Sequence, residues 1–389
     1  MTTCSNPATG ARTSHFYVEE VTCGVTPTSP AWKSLRFTSG NMQLSKDSVQ
    51  SSELDGSREI ADIRLGSNQT AGDISTELSF TSYDDFLQAA LGGTWASGAS
   101  DTGVDITVDE ILKTFTRAAG DFVADGVAVG DLIKFEDLLL GNNSGAFIVT
   151  AVTSTIVTCS QAEDLAAEVE TSDYATADSV EVGEARTSFS ILTHFADADG
   201  GVGEYHITKG VEITGFNFDI AVNAIVTGTF NTIGRAYEAD VSLPAGSTFP
   251  ALIKTEPFAG VDGRIIESGA LIGLVTSISN TLDNAASAQF EIGSNDTSFI
   301  EIGRANSTLS LSTFFENSTL LNKFVNETEA SIVIVLSGSD GALSFTYNRA
   351  IYTTGAPDVA GEGSITQALD AQALAGTSGE SSLVIQRLA

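Results

Sequence analysis

Ile74-Ser75-Thr76-Glu77-Leu78-Ser79-Phe80 alternates apolar with polar side chains, and Tyr83-Asp84-Asp85-Phe86-Leu87-Gln88-Ala89-Ala90-Leu91 follows it with a different period. A period of two lays one face of a strand on a core. Phe86, Leu87, Ala90 and Leu91 instead share one stripe of a helix, which Gly92-Gly93 stops. The same unit returns in the second half. Residues 309–315 read as a strand, Glu316-Asn317 as a turn, and 318–325 as a helix with Leu320, Leu321, Phe324 and Val325 on one face after an Asn317 or Ser318 cap.

The two halves stay in step beyond the helix. Residues 188–192 with a turn at 197–200 match 331–335 with 339–341. Then 209–215 matches 349–355, and 223–226 matches 363–366 at an offset of 140. Further strand patterns lie at 35–44, 205–214, 225–230 and 343–347, separated by turns such as Asp199-Gly200-Gly201 and Asp340-Gly341. The order of elements implies a tandem duplication. The fold class expected is mainly β: two tandem β-sandwich or barrel domains, each with a flanking α-helix.

One difference separates the copies. Between the helix and the next strand the second copy has only 326–330, whereas the first has 92–186. The excess reads as an inserted β domain with strands at 114–116, 132–135 and 146–158. The expected division is a discontinuous first domain at 1–100 and 184–245, an insert at 101–183 on the outer surface, and a second domain at 246–389.

Composition narrows the function. Of 389 residues, 50 are acidic and 18 basic, for a net charge of −32, and the insert carries −13 of it. A protein that holds nucleic acid needs Lys and Arg to displace counterions from phosphates, so the balance argues against a nucleic-acid binder held by phosphate contacts and is compatible with a surface that repels a polyanion. No apolar run approaches the ~20 residues a spanning helix needs. The polar first residues carry no apolar signal core, so assembly in a cytoplasm is expected. Cys4, Cys23 and Cys159 have no metal-like spacing and read as free thiols.

Catalytic, cofactor and metal sites are not expected. His15, His194 and His206 sit in unrelated contexts, and the last two are expected to be ordinary strand positions near one another across a hairpin. Asp197-Ala198-Asp199-Gly200 resembles a calcium loop but has Phe195 where the first acidic ligand belongs, so it reads as a turn. No nucleophile elbow, zinc motif or phosphate-binding loop occurs.

The stretch 44–95 is the most specific. It contains Asp62-Ile63-Arg64-Leu65-Gly66, then Gly72-Asp73-Ile74, then Asp84-Asp85-Phe86-Leu87-Gln88-Ala89-Ala90-Leu91-Gly92-Gly93-Thr94-Trp95. It resembles the tail tube (major tail) proteins of bacteriophages with long, non-contractile tails. The likeness resumes at Ile225-Val226-Thr227-Gly228-Thr229-Phe230, Thr281-Leu282-Asp283-Asn284, Gly303-Arg304, 321–329 and 357–363. Within the insert, Phe115-Thr116-Arg117, Asp125-Gly126, Val129-Gly130-Asp131 and 147–152 are similar to a small β module added to phage structural proteins.

The resemblance implies a non-enzymatic virion protein, a major tail tube subunit assembled in the host cytoplasm. Its sheets would join side by side into rings of three chains with pseudo-sixfold symmetry, stacked into a hollow tube. The implied partners are other copies of the chain, tail terminator and tail-tip proteins, a tape measure protein in the lumen during assembly, and phage DNA that passes without specific binding. No membrane and no cofactor are implied. The polar loop 45–63, with Lys46, Asp47, Glu53, Asp55, Arg58, Glu59, Asp62 and nearby Arg64, is expected to reach the adjacent ring. The lumen wall is expected to be net negative and to come from strands around 35–47 and 209–219. Two other classes are alternatives: an extracellular β-rich adhesin or surface-layer module, and a glycan hydrolase. The polar N-terminus and the 44–95 motif disfavour the first, and the missing carboxylate constellation disfavours the second.

Overall fold

The structure is a computed structural model that describes residues 7–40, 42–53, 58–60, 62–160, 165–198, 202–252, 254–359, 361–377 and 379–389. Cys4, Asp55 and the Asp199-Gly200-Gly201 turn lie outside them. The chain is mainly β, with strands joined into one extended sheet system and a separate closed barrel.

The pairing order repeats. In the first half Thr13–Glu19 lies beside Phe189–Phe195, which pairs with the opening of Glu204–Ala221. The rest of that long strand pairs with Thr227–Gly234, then comes Ile63–Glu77, then Gln43–Gln50. In the second half Gly263–Glu267 lies beside Ala330–Ser337, then Ala342–Tyr352, Thr366–Leu374, Asn306–Phe314 and Val275–Asp283. Even the irregularities coincide: a bulge between Phe189 and Ile191 is matched by one between Ala330 and Ile332.

The ladders correct the sequence alignment. Val211, opposite Phe189, takes the place of Ala350, opposite Ala330, so the shift in this strand is 139 residues rather than 140. Ile74 likewise corresponds to Leu311 through their partners Phe230 and Leu369, two residues from the alignment at 309–315. Side chains alternate faces, so a one-residue slip exchanges core for solvent, and only the ladder settles the register.

The long strand Glu204–Ala221 serves two layers. Its first part pairs with Phe189–Phe195 and Ala236–Glu238, and its second part with Thr227–Gly234 and Val275–Asp283. The last pairing joins the halves: Gly215 to Ala221 run antiparallel against Asp283 to Ser277 over seven residue pairs. One core lies between the layers and draws on both halves. Phe216 and Phe218 meet Phe345 of the second half at 6.2 and 5.6 Å between ring centres.

Both sequence-predicted helices are present. Asp84–Leu91 buries Phe86, Leu87, Ala90 and Leu91, and Gly92 (φ 66°) ends it in the left-handed region, with its N–H turned back to Gln88 and Ala89 carbonyls. Asp84 takes Arg387, whose guanidinium sits 4.4 Å over the Trp95 ring. This accounts for the first of the paired acids and the distant Trp, while Asp85 accepts from Tyr17 Oη at 3.0 Å and pairs with Lys33. Helix Thr319–Val325 is looser. Asn317 Oδ1 accepts the Thr319 N–H at 2.9 Å, and Leu320 and Phe324 touch the core while Val325 stays exposed. At seven residues the helix lays only part of its stripe on the sheet.

Strands between Ser100 and Thr176 close a six-stranded barrel with its own core, where Phe115 and Phe135 stack at 4.0 Å. Arg117 lies buried inside it. It donates to Asp101, Asp125 and the Ala119 carbonyl and lies 4.8 Å over Phe122. Tyr174 and Arg117 together hold the Asp125 carboxyl below its usual range by hydrogen bonding. The barrel sits on the second half, with Leu132 and Ile148 packed among Ile266, Val333, Val335 and Leu388. The corresponding face of the first half, at Leu192 and Ile207, is covered by Trp32, Val241 and Leu243. Two matching apolar faces thus carry different covers.

Candidate channel and assembly surfaces

The face of the joined sheet turned away from the core is the clearest candidate surface. Three rows cross the joined strands, the first two over six strands and the third over five, and their register follows from successive ladders. The first row reads Glu77, Thr227, Asp219, Ser279, Ser310, Asp370. The second reads Ser75, Thr229, Asn217, Thr281, Thr308, Gln372. The third reads Asp73, Asn231, Gly215, Asp283, Asn306. No position in the three rows holds Lys or Arg.

The face is laced to itself. Asn217 Nδ2 donates to Ser279 Oγ at 3.1 Å and Thr281 Oγ1 at 2.9 Å, Asn231 Nδ2 to Asp73 at 3.0 Å, and Gln372 Nε2 to Asn306 at 3.0 Å. The two amides of the middle row, Asn217 and Gln372, are therefore spent on neighbours, and the flanking rows carry the carboxylates. Four cations on other parts of the chain are engaged there: Arg186 with Glu212, Lys209 with Glu238, Arg349 with Glu329, and Arg387 with Asp84 and Asp178. Chemically this is a smooth acidic wall without an anion-binding group.

The second candidate is the segment expected as a polar loop. Its flanks are strands instead: Lys46 faces Asn68, Val49 faces Arg64 and Gln50 faces Ile63, so Gln43–Gln50 and the start of Ile63–Glu77 form a two-stranded arm. The ribbon buries neither face, which removes the alternation that marks a strand in sequence. Asp47 accepts from Gln69 Nε2 at 2.7 Å, and Asp62 pairs with Arg64 at 3.5 Å. Glu53, Arg58 and Glu59 are exposed near its tip, together with the apolar Val49, Ile60, Ile63 and Leu65. At its base Asn68 donates to the Asn295 carbonyl and to Asp296, tying the arm to the second half.

The remaining candidates are structural. Asp197 of the calcium-like turn accepts from Thr9 at 2.9 Å and pairs with Arg12 at 2.7 Å. His206 lies opposite Thr193 and His194 opposite Tyr205, so the two imidazoles point to opposite faces. Cys23 is exposed and Cys159 buried, both free, and burial pushes the Cys159 thiol up.

His15 is buried with Nδ1 2.9 Å from Thr193 Oγ1, and burial lowers its pKa from 6.5 to about 4. A group whose folded pKa is depressed stabilises the fold fully above its unfolded value, and that share is lost as pH falls toward the folded value. Between pH 6.5 and 4 the neutral imidazole therefore costs stability up to about 3 kcal/mol. His15→Gln is expected to lose less stability than the parent over this window in denaturant titrations; equal losses would count against it.

The model of a family described as phage tail tube protein matches residues 10–373. No curated protein matches the chain.

Proposed function

Because the chain belongs to the phage tail tube protein family, we propose that it is the repeating subunit of a hollow tail, three chains closing a ring with pseudo-sixfold symmetry and rings stacking into the tube. Family membership makes it a structural protein of the virion tail. The finer reading rests on one observation: a sheet whose two halves repeat the same ladder order and already join edge to edge within one chain. Two such units per chain need three chains to complete six. The proposed domains keep the boundaries 1–100 with 184–245, 101–183 and 246–389, with the second of these on the outside of the tube.

In this reading the three-row acidic face lines the lumen, so that DNA slides past a wall it is repelled by. The long tail contains no catalytic step for this subunit. The other partners are a tail terminator, tail-tip proteins and a tape measure protein, with assembly in the host cytoplasm. The arm bearing Lys46, Asp47, Glu53, Asp55, Arg58, Glu59, Asp62 and Arg64 reaches the adjacent ring; its unpartnered Val49, Ile63 and Leu65 support this role.

Negative-stain images of purified protein and of virions are expected to contain rings of three chains and hollow tubes. Replacing 49–64 with Asn-Gly keeps Ser48 and Leu65 paired across a two-residue turn. That variant should remain folded and make rings but no tubes. A parent protein that stays monomeric under all conditions would overturn the tube reading, and tubes from the variant would overturn the role of the arm.

A further inference from the structure

We propose that the two open edges of the sheet pair with one another between neighbouring chains in a defined register, with Thr354 opposite Ser45, Gly355 opposite Leu44, Ala356 opposite Gln43, Pro357 opposite Met42 and Val359 opposite Gly40. This rests on the ring reading above and specifies its contact.

The template is the seam inside the chain. Gly215 to Ala221 pair with Asp283 to Ser277. The ladders carry 218 and 219, opposite Gly228 and Thr227, onto 357 and 358, opposite Gln367 and Thr366, a shift of 139. Pro357–Asp358 is thus the continuation of Ala342–Tyr352, as Phe218 and Asp219 continue the long strand of the first half. On the other side, Asp283 opposite Asn306 corresponds to Ser45 opposite Gln69, and Ile278 opposite Leu311 to Gly40 opposite Ile74. Among the described residues, neither Ser39–Gly40 and Gln43–Gln50 nor Pro357–Asp358 has a strand on its outer side.

A side chain and a cavity support the same register. Ile220 is buried in the internal seam opposite Ile278, over Gly263. Its counterpart Val359 is 68% exposed. The matching place beside Gly40 is an open cavity lined by Thr13, His15, Phe37, Met42 and Thr193. The register sets Val359 at its mouth.

The new seam is weaker than its template. The Val222 N–H donates to the Thr276 carbonyl and the Asn284 N–H to the Thr214 carbonyl, so even-numbered residues of the long strand, Phe218 included, turn their amides into the seam. Pro357 has no amide to turn, and Gly355 and Pro357 replace the two rings that meet Phe345. A proline on an edge strand is a guard against unprompted pairing. Single chains therefore close into rings only at raised concentration, and a growing tube that presents the partner edge lowers that threshold.

Cysteine pairs in a Cys4→Ser, Cys23→Ser background test the register. Ala356→Cys with Gln43→Cys takes the places of Asn217 and Thr281, whose side chains touch at 2.9 Å, and should give oxidised tubes a ladder ending at three chains. The slipped pair, Ala356→Cys with Ser45→Cys, should not. Pro357→Val should lower the concentration at which tubes form about fivefold, the return of one ladder hydrogen bond. Tubes that cross-link only through the slipped pair, or through neither, overturn the seam and leave the tube reading standing. A chain never found in rings or tubes overturns the reading beneath it. An unchanged threshold for Pro357→Val overturns the guarding role.

Discussion

Phe218→Ala is expected to lower the unfolding free energy by about 3–5 kcal/mol, the range for an aromatic truncated in a closed core. The Phe218 ring is fully buried, lies 5.5 Å from Phe230 and 5.6 Å from Phe345, and covers Gly228, where any Cβ would come within 2.2 Å of it. Truncation leaves a cavity among Gly228, Phe230 and Phe345, so the cavity term adds to the lost burial. The position also makes the effect cooperative. Phe218 belongs to the first half and Phe345 to the second, and they share one core, so both halves should lose stability together. Phe299→Ala, at a largely exposed site, is the control and should change stability by under ~1 kcal/mol. Equilibrium denaturation followed by tryptophan emission gives both numbers, since Trp32 and Trp95 lie in the first half. A loss below ~1 kcal/mol for Phe218→Ala would mean that the halves are not held by this aromatic contact.

How much of this was legible in the sequence depends on what each strand buries. Strands with a clean inward stripe, such as Thr227–Gly234 with Gly228, Phe230 and Thr232 inside, announce themselves by alternation. So does the helix Asp84–Leu91. Val275–Asp283, the strand that makes the internal seam, does not, because the buried Asn280 interrupts Ile278 and Leu282 on its inner face. The arm escapes for the opposite reason: it buries nothing, and its reading as a loop follows from composition alone. The duplication was visible as an order of elements, but its offset was one to two residues out, since matched strands are joined by connections of unequal length: 196–203 precedes Glu204–Ala221, and only 338–341 precedes Ala342–Tyr352. The acidic face was anticipated as a property of the outward positions, but its members were not nameable. Asp73, Asp219, Asp283 and Asp370 come from four strands and two halves, and only the joined register brings them into rows.

Tubes carrying Asp73→Lys, Asp219→Lys, Asp283→Lys and Asp370→Lys are expected to capture short duplex DNA that parent tubes leave in solution. The substitutions turn the face from net negative to net positive without touching its inward stripe of Phe216, Phe218 and Phe230. Each lysine that meets a phosphate releases counterions, so log affinity should fall linearly with log salt, at about 0.9 per contact. The contacts recur in every chain of every ring, so even a modest attraction is multiplied along the tube; binding at 50 mM salt should exceed that at 200 mM by about a thousandfold or more. The set of four Asp→Asn changes separates charge from shape. It keeps the amide and hydroxyl lacing of the middle row, and its tubes should still leave duplex unbound. A duplex is held only by a wall that offers it a place to stop, and a face that alternates acids with self-satisfied amides offers none. Co-sedimentation of labelled duplex with tubes across a salt series reads the outcome. Lysine tubes that still ignore duplex at low salt would mean that this face does not line a passage open to DNA.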